Sequence, residues 1–182
     1  MLKYLKKMTR FLVFPLIIFI ILEIILRIIP NDYKLKKDYI RTKGDKIENL
    51  ILGSSHTYKG IKPDYFLPNS FNLAYSSQSL MFDKIILEKY INDLKNLKRV
   101  IIPISYFSLR KDIDLDEKSV RKYDYYRYHD IDLDIIEFYE IEKYSIIVNK
   151  GFKKSFKVVK DYLIQWQEFN YLWFTWLGNY TW

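Results

Sequence analysis

The sequence predicts an α/β domain built on a parallel sheet and preceded by one membrane-crossing helix. Three observations predict it. Phe11 to Ile29 is an almost unbroken apolar run, about as long as a hydrocarbon core is thick. Leu50-Ile51-Leu52 runs straight into Gly53-Ser54-Ser55-His56, the pattern of a short buried strand ended by a sharp turn. Beyond that turn the order strand, loop, strand, helix, strand points to parallel pairing with helices on the sheet.

Residues 1–10 form a basic segment, with Lys3, Lys6, Lys7 and Arg10 and no acid. Such a cluster ahead of an apolar run predicts a cytoplasmic amino terminus and an outer carboxyl domain. Residues 11–29 are apolar on every face, which a soluble helix is not, and Pro15 sits near the start, where a membrane helix tolerates it. The exit, Arg27-Ile28-Ile29-Pro30-Asn31-Asp32, lacks the small residues of a cleavage site, so the run reads as an uncleaved signal anchor. Glu23 and Arg27 lie four apart and share a helix face. They read as an interfacial pair with Arg27 snorkelling, or as a polar contact for a polytopic partner. Residues 30–46 are charged with little apolar pattern and read as a linker, with the folded domain over 47–182.

Within that domain, Asn49 to Leu52 is the first strand and Lys59 to Asp64 a turn-rich loop. Phe71 to Tyr75 is the second strand. Ser76 to Ser79 lead into a helix whose Phe82, Ile85, Ile86, Tyr90 and Leu94 follow helical spacing. Arg99 to Ser105 is the third strand, with Pro103 expected near its end. Lys111 to Asp134, dense in charge and tyrosine, reads as an insertion or surface excursion, with His129 a surface residue. Leu133 to Val148 reads as a helix. Phe152, Phe156, Val159, Leu163 and Trp166 mark one face of another, with Lys153, Lys154, Lys157 and Lys160 largely off that face.

Composition narrows the chemistry. With 49% apolar residues in 182, the chain can bury a core. The absence of cysteine excludes disulfides, cysteine-based zinc sites and a thiol nucleophile. No His/Asp/Glu cluster has metal-ligand spacing, so no metal is expected. Lys59-Gly60 lacks the spacing of a phosphate-binding loop, and no cofactor is implied. The net charge of +8 invites a nucleic-acid reading. Much of the excess flanks the apolar run, however, and no recognition motif is present, so nucleic acid is not an expected partner.

Gly53-Ser54-Ser55-His56 after the first strand resembles the Gly-Asp-Ser opening block of the SGNH/GDSL hydrolase superfamily, with Ser54 in place of Asp. Variants of this kind resemble the membrane-anchored branch associated with cell-envelope polysaccharide acylation, which includes relatives of the D-alanylation protein DltD. The resemblance implies a flavodoxin-like parallel sheet and a serine esterase or O-acyltransferase acting on an envelope glycan at a bacterial plasma membrane. It implies a membrane-bound O-acyltransferase as partner. It makes Ser55 the nucleophile. Asn72-Leu73-Ala74 matches the second block, Asn-x-Gly, so the backbone N–H groups of Ser55 and Ala74, with Asn72, would bind the oxyanion. The third block, Gly-x-Asn-Asp, is replaced by Ile104-Ser105-Tyr106-Phe107, where Ser105 or Tyr106 could stand in. The Asp-x-x-His of the fourth is absent. Ser54, His56 and His129 remain the other groups of interest, though neighbouring side chains such as Ser55 and His56 rarely converge. The resemblance thus covers roughly residues 49–107 and implies a carboxyl-terminally truncated member without its base, with little activity alone. The alternative is a non-catalytic, membrane-tethered scaffold of the same machinery.

Overall fold

The computed structural model describes residues 2–104 and 120–178. They form a mixed α/β structure with a small three-stranded parallel sheet, flanking helices and one long apolar helix at the amino end. The chain divides into two units, Asn31–Tyr139 and a second made of Met1–Pro30 with Glu140–Trp182. The single folded domain expected over 47–182 is therefore split near residue 140, and its carboxyl part groups with the amino-terminal helix.

In the sheet unit, β1 (Asn49–Ile51) lies between β2 (Ser70–Asn72) and β3 (Arg99–Ile101), parallel to both. Leu50 pairs with Phe71 on one side and Val100 on the other. Leu50, Ile51 and Leu52 are fully buried, which explains why β1 reads as an uninterrupted apolar run. Hydrogen bonding continues past the strand ends: the Leu73 N–H donates to the Ile51 carbonyl at 2.8 Å and the Leu52 N–H to the Ile101 carbonyl at 2.9 Å. Pro103 falls beyond β3, where its missing N–H costs no ladder bond. Helix α4 (Leu80–Tyr90) covers the sheet with Phe82, Ile86 and Tyr90, and Leu94 packs into the same core just past its end.

Two segments depart from the sequence reading. The charged stretch expected to be a linker is helix α2 (Asp32–Lys43), capped by Asn31, whose side chain accepts from the Lys34 N–H at 3.1 Å. Its Ile40 is buried and Tyr33 packs on the core, so a sparse apolar stripe is enough to dock it. The tyrosine-rich stretch is not a surface excursion. Lys122–His129 is helix α5, and Tyr123, Tyr125, Tyr128 and His129 are all buried. Residues 105–119 lie outside the described residues.

In the second unit, α1 (Leu2–Ile28) contains an 18-residue window, Phe11–Ile28, of mean hydropathy 2.8, long and apolar enough to cross a bilayer. From Phe11 to Ile28 most of its side chains are exposed. The exceptions are Leu22 and Leu26, which pack against Ile146 and Ile147 of α6 (Ile146–Lys150), with Phe19 and with Val159 of α7 (Phe152–Gly178) at the margin. The single helix expected over 133–148 is broken. A 3-10 turn spans Ile141–Lys143, and Ser145 then caps α6 by accepting from the Val148 N–H at 3.2 Å. Glu23 and Arg27 pair at 3.0 Å, as their spacing predicts. Their other partners belong to the same chain. Glu23 accepts from the Ser145 hydroxyl and the Ile146 N–H, both at 3.0 Å, and Arg27 donates to the Tyr144 carbonyl.

Candidate functional site

The turn after β1 is built around Gly53. Its φ of +119° lies where side chains are rarely tolerated, and a Cβ there would stand 2.7 Å from Thr57 Oγ1. The turn is braced from beneath. The Gly53 N–H donates to Asp83 Oδ1 at 2.8 Å. Asp83, buried in the first turn of α4, also accepts from the Gln78 side-chain amide, and Gln78 Oε1 accepts from the Tyr125 hydroxyl at 2.9 Å. A buried carboxylate needs such donors, since one left unpaired is strongly destabilising.

This bracing presents Ser54 and Ser55, both half-buried, at the carboxyl end of the central strand. Ser54 occupies the cap position of α3 (Ser55–Gly60) in extended backbone, yet its side chain makes no capping bond. Its carbonyl accepts from the Tyr58 N–H at 2.9 Å. Ser55 opens the helix and His56 is exposed.

Two of the groups expected to bind an oxyanion, Ala74 and Asn72, are engaged within the fold. The Ala74 N–H donates to Asn72 Oδ1 at 3.0 Å, and Ala74 is fully buried. Asn72 Nδ2 donates to the carbonyls of Thr57 at 3.0 Å and Ile61 at 2.9 Å. Asn72 thus ties α3 to the end of β2 with both of its amide hydrogens. Ser105 and Tyr106 lie outside the described residues.

His129 is not the surface residue its setting suggests. It is fully buried at the end of α5, with Nε2 2.8 Å from the Tyr75 hydroxyl and Nδ1 2.6 Å from the Tyr90 hydroxyl. One ring nitrogen donates and the other accepts, so the pair of tyrosines fits a neutral imidazole. Burial first, then the nearby Lys37 charge, pushes its pKa down to about 3. Burial likewise raises the Tyr75 and Tyr90 pKa values above the usual phenol range. Tyr33 stacks on Tyr75 at 4.2 Å between ring centroids and meets Tyr125 edge-on, closing an aromatic wall around the imidazole.

Asp83, which is buried, and Lys36, which is half-buried, are charged groups near the turn that escape a reading of the sequence. Asp83 carries a signal that could find it: a lone acid three and seven residues before the core residues Ile86 and Tyr90, on the apolar face. Lys36 carries none, being one lysine among many in α2. Its Nζ donates to the Ala74 carbonyl at 2.6 Å and lies 4.4 Å and 4.6 Å from the ring centroids of Tyr75 and Tyr58. Burial lowers its pKa to about 8, against the opposing attraction of Asp32. At the end of α3, Lys59 together with Lys62, Tyr65 and Phe66 beyond it lines an open recess of about 340 Å³. Among the described residues no three His, Asp or Glu side chains are placed to hold a metal ion.

The fold and site therefore define a small parallel α/β unit with two hydroxyls at the carboxyl edge of its central strand, in a chain that also carries a helix able to cross a membrane. No protein-family profile, curated protein or solved structure matches the chain.

Proposed function

We propose that the chain is a membrane-anchored, extracytoplasmic SGNH-like protein whose Ser55 is the acyl-accepting nucleophile of an ester-hydrolysis or O-acyl-transfer site acting on a cell-envelope glycan. The observation that carries this reading is the position of the Ser54–Ser55 turn. It stands just beyond the carboxyl end of the central strand in a parallel sheet of order β2-β1-β3, the opening order of flavodoxin-like sheets, whose ligands bind at that edge. In the reaction, Ser55 Oγ would attack the ester carbonyl and the alcohol would leave. A sugar hydroxyl or water would then take the acyl group from the serine. Tyr65 and Phe66, exposed beside the lysines of the recess, offer flat faces against which a sugar ring could pack. His129 is walled in by tyrosines and His56 is adjacent to Ser55 in sequence, so this reading assigns neither as the base; a membrane-bound O-acyltransferase that hands acyl groups across the bilayer is the partner class that fits.

A second reading, a non-catalytic tether within the same machinery, is favoured by one specific observation. The Ala74 N–H and both Asn72 amide hydrogens already have acceptors inside the fold. An oxyanion hole needs donors aimed at the charge that develops.

Fluorophosphonate labelling of the full chain in vesicles separates the two. The catalytic reading expects labelling that survives Ser54→Ala and is lost in Ser55→Ala. A Ser55-dependent ester turnover of about 1 per second or more would show a working site with its own base. No labelling of either serine, with glycan binding that both variants retain, would establish the tether. The assigned orientation expects alkaline phosphatase fused after Lys46 to be active; an inactive fusion beside an active cytoplasmic reporter would reverse it.

A further inference from the structure

Helix α7 has a face that neither its own unit's core nor the proposed site explains. From Phe152 to Trp166 its sequence is amphipathic at helical spacing. Phe152, Phe156, Leu163 and Trp166 fall on one side, each about half exposed. On that side only Val159 reaches the apolar cluster, while Ser155 is buried. Lys153, Lys157 and Lys160 form a row along one flank of the apolar face.

The packing of α7 says what lies against this face. Val159 borders the cluster that Leu22 and Leu26 of α1 make with α6. At 1.5 Å per residue, Leu22 lies about 9 Å along the helix from Ile28, where the apolar window closes. That distance matches the depth, roughly 5–10 Å, at which an amphipathic helix rests between headgroups and acyl chains. Glu23 and Arg27 fix the level by gripping Tyr144, Ser145 and Ile146, just ahead of α7. A bilayer crossed by α1 therefore reaches the base of α7. Among the described residues α7 does not qualify as a second span. It carries Lys153, Lys154, Lys157, Lys160, Asp161 and Glu168, which suit an interface and not a hydrocarbon core.

We propose that residues 152–166 of α7 lie in the interface of an anionic bilayer, in the leaflet at the carboxyl end of α1, with Phe152, Phe156, Leu163 and Trp166 dipping among the acyl chains and Lys153, Lys157 and Lys160 meeting lipid phosphates. The occupant of the exposed face is lipid, not a second protein. Continuity with the α1 span and complementarity between the lysine row and anionic headgroups carry the assignment. It rests on the reading of α1 as a membrane span and stands whether or not Ser55 is catalytic.

All four tryptophans, Trp166, Trp173, Trp176 and Trp182, lie in or just beyond α7, so tryptophan emission reports on this segment alone. The full chain is reconstituted into vesicles of phosphatidylethanolamine and phosphatidylglycerol at 3:1. Trp173, Trp176 and Trp182 are changed to Phe so that Trp166 alone emits; the unaltered chain serves as a second sample. Lipids brominated at the shallow 6,7 positions of the acyl chain are expected to quench Trp166 at least twofold, and aqueous acrylamide to quench it weakly. Phe156→Asp with Leu163→Asp should abolish the lipid quenching while α1 keeps the chain floating with the vesicles. Lys153→Glu, Lys157→Glu and Lys160→Glu together should lose half or more of the quenching in these vesicles. Full access to acrylamide with no quenching by brominated lipid would overturn the proposal by placing the face in water. Protection from both quenchers would overturn it by showing a protein cover.

Discussion

Ser54–Ser55 and His129 belong to the same sheet unit, and the fold treats them in opposite ways. The two serines stand half-open at the edge of the sheet, and the structure uses neither side chain as a cap. His129 is sealed among tyrosines with both ring nitrogens in hydrogen bonds. The Ser54 hydroxyl thus caps nothing, while His129 is committed to holding α5 against α4 and the segment that follows β2. A histidine count alone would suggest a base for the serine; burial shows that His129 serves stability instead.

The largest expected effect tests that division directly. His129→Ala would leave a cavity and strand the Tyr75 and Tyr90 hydroxyls, at a cost of about 3–5 kcal/mol. Urea unfolding of the full chain in detergent, followed by the near-ultraviolet circular dichroism of the tyrosine cluster, measures it. Ser55→Ala in the same assay should change stability by less than about 0.5 kcal/mol. Equal losses in the two variants would erase the contrast.

The same imidazole should make the sheet unit sensitive to acid. Its pKa is near 3 when folded and near 6.5 when unfolded. Between those values the unfolded chain takes up a proton that the folded chain refuses. The stability associated with neutral His129 is therefore complete above about pH 6.5 and lost as pH falls towards 3, at up to about 1.4 kcal/mol per pH unit. Asp130 and Glu48, whose pKa values are lowered chiefly by hydrogen bonds to Lys37 and Lys98, add losses in the same direction at lower pH. His129→Gln should flatten the profile between about pH 6.5 and 5, where carboxylates contribute little. An unchanged slope would mean that His129 titrates normally and is not sealed.

What the sequence discloses follows the same divide. The Gly53 turn is legible because its chemistry is local: an apolar run, a glycine whose conformation the turn demands, then hydroxyls. Helix α1 is legible because its length and apolarity are written in one continuous run. The His129 cluster is not. Tyr125, Tyr128 and His129 do have the spacing of one helix face, but tyrosine reads as polar or apolar according to what surrounds it, and here the surroundings come from Tyr33, Tyr75 and Tyr90, far along the chain. The docking of α2 is hidden for a related reason, since Tyr33 and Ile40 are outnumbered by lysines. Glu23 shows the reverse case: its pairing with Arg27 is written in the spacing, but its contact with Ser145 spans 122 residues.

Gly53 itself gives a third, intermediate test. Gly53→Ala would combine the strain of a side chain at φ +119° with a Cβ 2.7 Å from Thr57 Oγ1. A loss of about 1–3 kcal/mol is expected. Adding Thr57→Ala should recover only the part due to the contact, leaving the backbone strain. Complete recovery would mean that crowding, not φ, reserves this position for glycine.

The smallest expected effect separates hydroxyls and amides that the fold employs from one that it does not. Asn31 caps α2 through the Lys34 N–H at 3.1 Å, whereas Ser54 occupies the corresponding position of α3 and makes no such bond. Replacing a working cap by alanine costs about 1 kcal/mol. Asn31→Ala should therefore destabilise the sheet unit by about that amount, and Ser54→Ala by less than about 0.3 kcal/mol, below what an unused side chain at a short helix would register. The comparison is internal, since both residues head helices of the same unit and one unfolding signal reads both. If Ser54→Ala cost as much as Asn31→Ala, the Ser54 hydroxyl would be a cap in solution, the turn would be explained by helix initiation, and the Gly53-Ser54-Ser55 segment would lose its claim to be a site held open for a ligand.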